Sequence, residues 1–206
     1  MPLDAVILDM DGLMVDTEPL YKIAWQAGIA ELGFELSDTG YATIVGRPLP
    51  EIEAILMQRF GPAFPLDRLR VRWPELWRNE VARSGIQVKQ GLDALLAFIA
   101  ECQLGLAIAT STKADWAAFT LERSGLTGRF EVIVTGDQVA RGKPAPDIYL
   151  EAARRLGAEP GRCVAIEDSE AGIRSIAAAG MIGILVPHWT PSDVATAAAF
   201  RVVHSL

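Results

Sequence analysis

The chain has 206 residues, half of them hydrophobic, which suffices for one full domain with a small insertion around a sizeable core. Asp and Glu outnumber Lys and Arg, 26 to 19, and the net charge of -7 argues against a nucleic-acid or anionic-membrane partner for the surface as a whole. No apolar run approaches the roughly 20 residues that span a bilayer, and MPLDAVILD has no basic stretch ahead of its apolar one, so a soluble, cytoplasmic protein is expected.

The first predicted element is a buried strand over residues 5–8, running into Asp9-Met10-Asp11-Gly12. From Val15 to Ile86 no buried strand is expected. Amphipathic helical patterns at 18–32, 50–60 and 66–83 are instead separated by Gly33, Gly46 and Gly61-Pro62. This reads as a helical insertion at 15–86, dividing a core domain made of 1–14 and 87–206. Asp16 and Thr17 suit N-terminal caps for the helix at Glu18, with Pro19 in its first turn. The insertion's Trp25, Phe34, Phe60, Trp73 and Trp77 suit a small core of its own.

Beyond the insertion, apolar runs at 104–109, 132–134, 164–166, 182–186 and, weakly, 202–203 alternate with helical patterns at 92–101, 114–124, 146–156, 171–179 and 192–200. Continuous apolar runs suit strands buried on both faces, and Gly125, Gly157 and Gly180 stand where helices end. The alternation predicts a doubly wound (Rossmann-like), mostly parallel α/β core with right-handed crossovers. Cys102 and Cys163 lack metal-like spacing and are read as small core residues.

In such a sheet, ligands sit beyond the carboxyl ends of the strands. The first strand ends in Asp9 and leads to Asp11; the second ends in Thr110-Ser111-Thr112; the loop after the third holds Lys143; the fourth ends in Glu167-Asp168-Ser169. Clustered carboxylates repel, and their coexistence as anions calls for a cation. Oxygen ligands in small number favour Mg²⁺, which commonly bridges to phosphate. One carboxylate is then left to act as nucleophile, while Lys143 and Thr110 stabilise phosphoryl oxygens. Backbone N–H groups at 10–12 and 111–112 are candidates to complete an anion cradle. Asp137, Asp147 and Glu170 read as turn or helix acids, and Ser169 as a helix cap. The Lys143-Pro144 bond is open to either isomer.

Together these four stretches resemble the motifs of the haloacid dehalogenase superfamily of aspartate-dependent phosphotransferases: DMDG at Asp9, the strand-end Thr110, Lys143 in GKPAPD, and Glu167-Asp168 in IEDSEAG. The resemblance implies that Asp9 attacks phosphorus while Asp11 protonates the leaving alcohol and later activates water. It implies that Thr110, Ser111 and Lys143 hold the phosphoryl group. Mg²⁺ would bind a carboxylate oxygen of Asp9, the main-chain carbonyl of Asp11 and the carboxylate of Asp168, with Glu167 orienting a bound water. The insertion is similar to the family's mobile cap. DTEPLY would then bring Glu18 and Tyr21 to the site edge, Gly46-Arg47 in VGRPLPEI would contact substrate, and Lys113 is a surface or phosphate-steering lysine.

The implied activity is a Mg²⁺-dependent phosphatase of small phosphate esters, sugar phosphates above all, in a monomer or weak homodimer. A β-phosphoglucomutase-like phosphosugar mutase is the alternative. Against it, Tyr21 stands where that relative carries a histidine, and a phenol does not titrate near neutral pH. A phospho-receiver signalling domain is disfavoured because it has no insertion after its first strand, and a dehalogenase proper because the acidic set suits metal and phosphate.

Overall fold

A computed structural model describes residues 2–47, 49–188 and 190–206, so Pro48 of VGRPLPEI lies outside the described residues. The chain forms two compact units, one built from Met1–Asp16 and Ile86–Leu206 and the other from Thr17–Gly85.

The first unit begins with β1 (Ala5–Leu8) and β2 (Val15–Asp16). The second unit then contributes α1 (Glu18–Glu31), α2 (Asp38–Tyr41), α3 (Leu49–Phe60) and α4 (Leu66–Ser84). Back in the first unit come β3 (Gln87–Val88), α5 (Leu92–Glu101), β4 (Gly105–Thr110), α6 (Ala114–Arg123), β5 (Val132–Thr135) and α7 (Asp147–Leu156). The chain closes with β6 (Cys163–Glu167), α8 (Glu170–Ala178), β7 (Ile182–Leu185), α9 (Asp193–Ala198) and β8 (Arg201–Val202).

Six strands form a parallel sheet in the order β5-β4-β1-β6-β7-β8. The order reverses direction at β1, so β1 is central and its neighbours β4 and β6 come from later in the chain. Leu8 stands opposite both Ile108 and Ile166, which brings the last residues of three strands to one edge. Ile7, Ala107, Ala109, Val134 and Ala165 of the sheet pack with Ile148, Tyr149 and Ala152 of α7 and with Ile173 and Ile176 of α8. Small residues on the strands leave room for the helices' larger ones, and each fully buried large aliphatic contributes about 1.5–3 kcal/mol. This is the mostly parallel, doubly wound core expected from the apolar runs.

Four local expectations need correction. A two-stranded antiparallel pair, β2 with β3, was not expected: Val15 stands opposite Val88 and Asp16 opposite Gln87. Two-residue strands carry no readable periodicity, and this pair exists only because distant segments meet. Thr17 is in the N-cap position of α1 but has helical backbone angles, φ -89° and ψ -16°, and its side chain makes no capping bond. A capping oxygen needs extended backbone to reach the first-turn N–H groups, and Asp16, a β2 residue, instead lies 3.9 Å from Lys89. Cys163 is buried as expected, whereas Cys102 is exposed just past the end of α5. The last helix ends at Ala198, short of residue 200, because Phe200 N–H donates to Gly183 O at 2.9 Å and draws the chain into β8.

The second unit has the aromatic core its sequence suggests. Trp25 stacks on Trp73 with ring centres 4.8 Å apart, and Phe34, Phe60 and Phe64 pack edge and face at 5.0–5.2 Å. Trp77 is fully buried. Ser37 caps α2, accepting from Gly40 N–H at 3.1 Å.

Candidate active site

Asp9 follows β1 directly and still belongs to the sheet ladder, its N–H donating to Ile166 O at 3.0 Å. That bond fixes its backbone at the strand end, and its side chain is only 8% exposed. Against it lies Lys143, whose Nζ is 2.5 Å from Asp9 Oδ1 and 2.7 Å from Glu167 Oε1. The lysine comes from the loop before α7, which the helices anchor: Ser175 Oγ of α8 donates to Ala145 O at 2.6 Å. The Lys143–Pro144 bond in that loop is cis. Tyr149 of α7 lies beneath the ammonium, its ring centre 5.1 Å away.

Glu167 ends β6. Its Oε2 accepts from the N–H groups of Asp168, at 2.6 Å, and Ser169, at 2.9 Å. Ser169 in turn caps α8 by accepting from Gly172 N–H at 3.0 Å, as its position suggested. Asp168 is half-buried beside them, and oxygens of Asp9, Glu167 and Asp168 lie within 4.8 Å of one another.

Three carboxylates therefore share one ammonium, and the surplus negative charge decides their titration. Burial, then the charge of Glu167, pushes the Asp9 carboxyl up to about 8. Burial and the charges of Glu167 and Asp9 raise Asp168 well above the usual carboxylate range. Burial also opposes the charge on Glu167, but Lys143 and the chain N–H groups outweigh it and hold that carboxyl low. Lys143 is likewise desolvated, yet Asp9 and Glu167 keep it charged. Glu167 and Lys143 are thus a buried ion pair, and Asp9 and Asp168 are the carboxylates left without sufficient compensation.

A divalent cation fits that deficit. The donors are all oxygens, as Mg²⁺ prefers. The loop backbone is shaped around one of them: Gly12 has φ +86°, and a Cβ there would overlap Asp168 Oδ2. Asp9 and Asp168 offer the better ligands, since Glu167 commits both its oxygens to donors of the chain. Gly172 has the matching role on the other side, because a Cβ there would run into the Glu167 carboxylate. Gly172→Ala is accordingly expected to lower stability by about 1–3 kcal/mol, the usual cost of overpacking, as read by urea denaturation.

The remaining expected site residues fall into three groups. Asp11 is half-buried outside the acidic trio, and its Oδ2 accepts from Thr112 Oγ1 at 2.7 Å. Thr110 is buried at the end of β4, its Oγ1 accepting from Thr112 N–H at 3.1 Å, while Ser111 and Lys113 are exposed just after it. The anion cradle is narrower than the sequence suggested. Thr112 N–H is taken by Thr110, and Gly12 N–H donates to Val15 O at 2.9 Å, because the turn after β1 closes on itself.

The third group lies in the second unit. Glu18 Oε1 accepts from Tyr41 Oη at 2.6 Å, and Tyr21 stacks on Trp77 with ring centres 5.3 Å apart. Gly46 and Arg47 are exposed, with Arg47 3.2 Å from Glu51 and donating to Thr43 O at 2.9 Å. Burial and the Glu18 charge raise the Tyr41 hydroxyl well above the usual phenol range.

Two residues read along the chain have partners that the sequence does not signal. Asp137 accepts from Thr135 Oγ1 at 2.7 Å and from Ala114 N–H at 3.1 Å, so it caps α6 rather than merely turning the chain. The sequence offers Thr112 as one of the strand-end hydroxyls and as a backbone donor, and nothing along the chain signals its bond to Asp11, 101 residues away.

Residues 3–180 match the family model of haloacid dehalogenase-like hydrolases. A phosphorylated carbohydrates phosphatase of Thermotoga maritima is 35% identical over 87% of this chain and 82% of its own length. A fructose-1-phosphate phosphatase of Escherichia coli, YqaB, is 28% identical over 85% and 92%. Among solved structures, CbbY of Rhodobacter sphaeroides in complex with phosphate superposes with a TM-score of 0.83, with 27% identity over 98% of this chain and 94% of that one. With its six-stranded parallel sheet and the acidic residues gathered at one strand edge, the chain belongs to the haloacid dehalogenase-like hydrolase family.

Proposed function

We propose that this phosphatase is a cytoplasmic, Mg²⁺-dependent enzyme that hydrolyses small phosphorylated carbohydrates through an aspartyl-phosphate on Asp9, as a monomer or weak homodimer. The observation that carries the reading is the buried Asp9–Lys143–Glu167 contact with Asp168 beside it, in which anions outnumber cations. Names of the similar proteins support the substrate class, and the oxygen-only donors support the metal. Among the described residues, no helix is long and apolar enough to cross a membrane.

Asp9 Oδ attacks phosphorus while the bond from phosphorus to the leaving oxygen breaks. The electron pair of that bond passes to the leaving oxygen, which takes a proton from the Asp11 carboxyl. Asp11, now a carboxylate, accepts a proton from water as the water oxygen bonds to phosphorus. The Asp9–phosphorus bond breaks, its electron pair returns to Asp9, and inorganic phosphate leaves. Thr110 and Lys143 hold the phosphoryl oxygens, with Ser111 and Lys113 at the entrance, and Glu167 fixes Lys143 in place. Mg²⁺, held by Asp9, Asp168 and the carbonyl of Asp11, would supply charge neutralisation for carboxylates and phosphoryl oxygens. The second unit would act as the cap, with Glu18, Tyr21, Gly46 and Arg47 reading the leaving group.

Phosphate release over a panel of sugar phosphates, phosphoglycolate and nucleotides, each with Mg²⁺ and with excess chelator, tests this reading. The expected result is Mg²⁺-dependent release, fastest on sugar phosphates and absent in chelator. Full activity in chelator would remove the metal assignment. Sugar bisphosphate-primed interconversion of 1- and 6-phosphates with little free phosphate would make the protein a mutase instead.

A further inference from the structure

We infer that Thr112 is a positioning residue for Asp11, one that serves both protonation states through which the proposed acid/base must pass; this rests on the acid/base reading of Asp11 given above. The hydroxyl lies 2.7 Å from Asp11 Oδ2, across a separation of 101 residues in the chain. It is held from two directions by backbone bonds. Thr112 N–H donates to Thr110 Oγ1 at 3.1 Å, tying it to the end of β4, and Thr112 O accepts from Gly136 N–H at 3.1 Å, tying it to the end of β5. The Asp11 backbone is fixed separately by its bridge to Val15. Two separately anchored backbones thus meet at the Thr112–Asp11 bond, which restrains the orientation of the Asp11 carboxyl.

A threonine hydroxyl suits this place for a chemical reason. It donates to Oδ2 when Asp11 is a carboxylate, and by turning its own proton it accepts from Oδ2–H when Asp11 is an acid. Asp11 can lose its proton to the leaving oxygen and regain one from water while keeping one partner and one orientation throughout. Geometric control of that order is what efficient proton transfer requires. Valine keeps the branched shape and removes the hydroxyl; serine keeps the hydroxyl.

The test compares Thr112→Val, Thr112→Ser and Asp11→Ala on an alkyl sugar phosphate, whose leaving alkoxide needs a proton, and on 4-nitrophenyl phosphate, whose leaving phenolate does not. Thermal denaturation checks that each variant is folded. The expected result, read as kcat/KM so that the hydrolysis step common to both esters does not enter, is that Thr112→Val lowers it on the sugar phosphate by roughly ten- to hundredfold, with a much smaller loss on the aryl ester, and that Thr112→Ser restores most of it. Equal losses of kcat/KM on both substrates in folded Thr112→Val, or no recovery in Thr112→Ser, would overturn the inference while Asp11→Ala still showed the leaving-group dependence. If Asp11→Ala itself lost kcat/KM equally on both esters, the acid reading of Asp11 would fall, and the role of Thr112 with it.

Discussion

Asp9→Asn is expected to lower turnover by roughly 10³-fold or more, the scale on which removing a nucleophile acts, while leaving the protein folded. The amide is nearly isosteric with the carboxyl and can still accept from Lys143, but it does not form the acyl phosphate. Phosphate release and trapping of phosphoenzyme report the first effect, and retained activity in purified variant would exclude Asp9 as nucleophile.

The same variant has a pH signature in the metal-free protein. The Asp9 carboxyl is raised from 3.8 to about 8, so between those values the folded state binds more protons than the unfolded one. Stability must then fall as pH rises through that window, because it rises with pH only where the unfolded state holds more protons. In chelator, wild type is expected to lose stability between pH 5 and pH 8 relative to Asp9→Asn, as read by urea denaturation at both pH values. Parallel behaviour of the two proteins would contradict the burial-driven shift.

Lys143→Met is expected to be the most damaging single change to the core domain. Its Nζ is the shared partner of Asp9 and Glu167, and its side chain is 5% exposed. Methionine fills the space of the stem but leaves Glu167 buried without its counter-charge. Breaking a buried pair by removing one partner typically costs about 3–5 kcal/mol. Glu167 would relieve part of this by taking up a proton, so the loss should be smaller at low pH than at neutral pH. Activity should fall with stability, since the phosphoryl group loses a cation at the same time. Urea denaturation and phosphate release measure the two effects, and a fully stable Lys143→Met would show that the ion pair contributes little to the fold.

Both predictions concern residues whose types and strand-end positions were readable along the chain. β1 could be read because a central parallel strand is apolar on both faces, so AVIL stands out without any partner being known. Asp9, Thr110 and Glu167 could be read for the same reason, since each follows or closes such a run. Helix limits such as Leu92–Glu101 were equally local, set by apolar spacing and by where that pattern stopped. The aromatic core of the second unit followed from the same 3.6-residue spacing.

Other features depend on contacts that no local pattern encodes. The β2–β3 pair joins residues on either side of the helical insertion, and each strand is two residues long. Thr17 looks like a cap in the sequence, but the backbone angle that would make it one is set by the chain leaving β2. Phe200 could have continued its helix, yet a hydrogen bond to Gly183 takes it into the sheet.

The sequence by itself determined the parallel α/β core and which residue types end its strands, because burial on both faces and helical periodicity are written over neighbouring residues. Only the tertiary structure decided which of those groups are paired. Glu167 with Lys143, Asp9 and Asp168 without enough positive charge, and Thr112 holding Asp11 all follow from sheet order and distance across the strand edge, and electrostatic and hydrogen-bond energies depend on those distances rather than on separation along the chain.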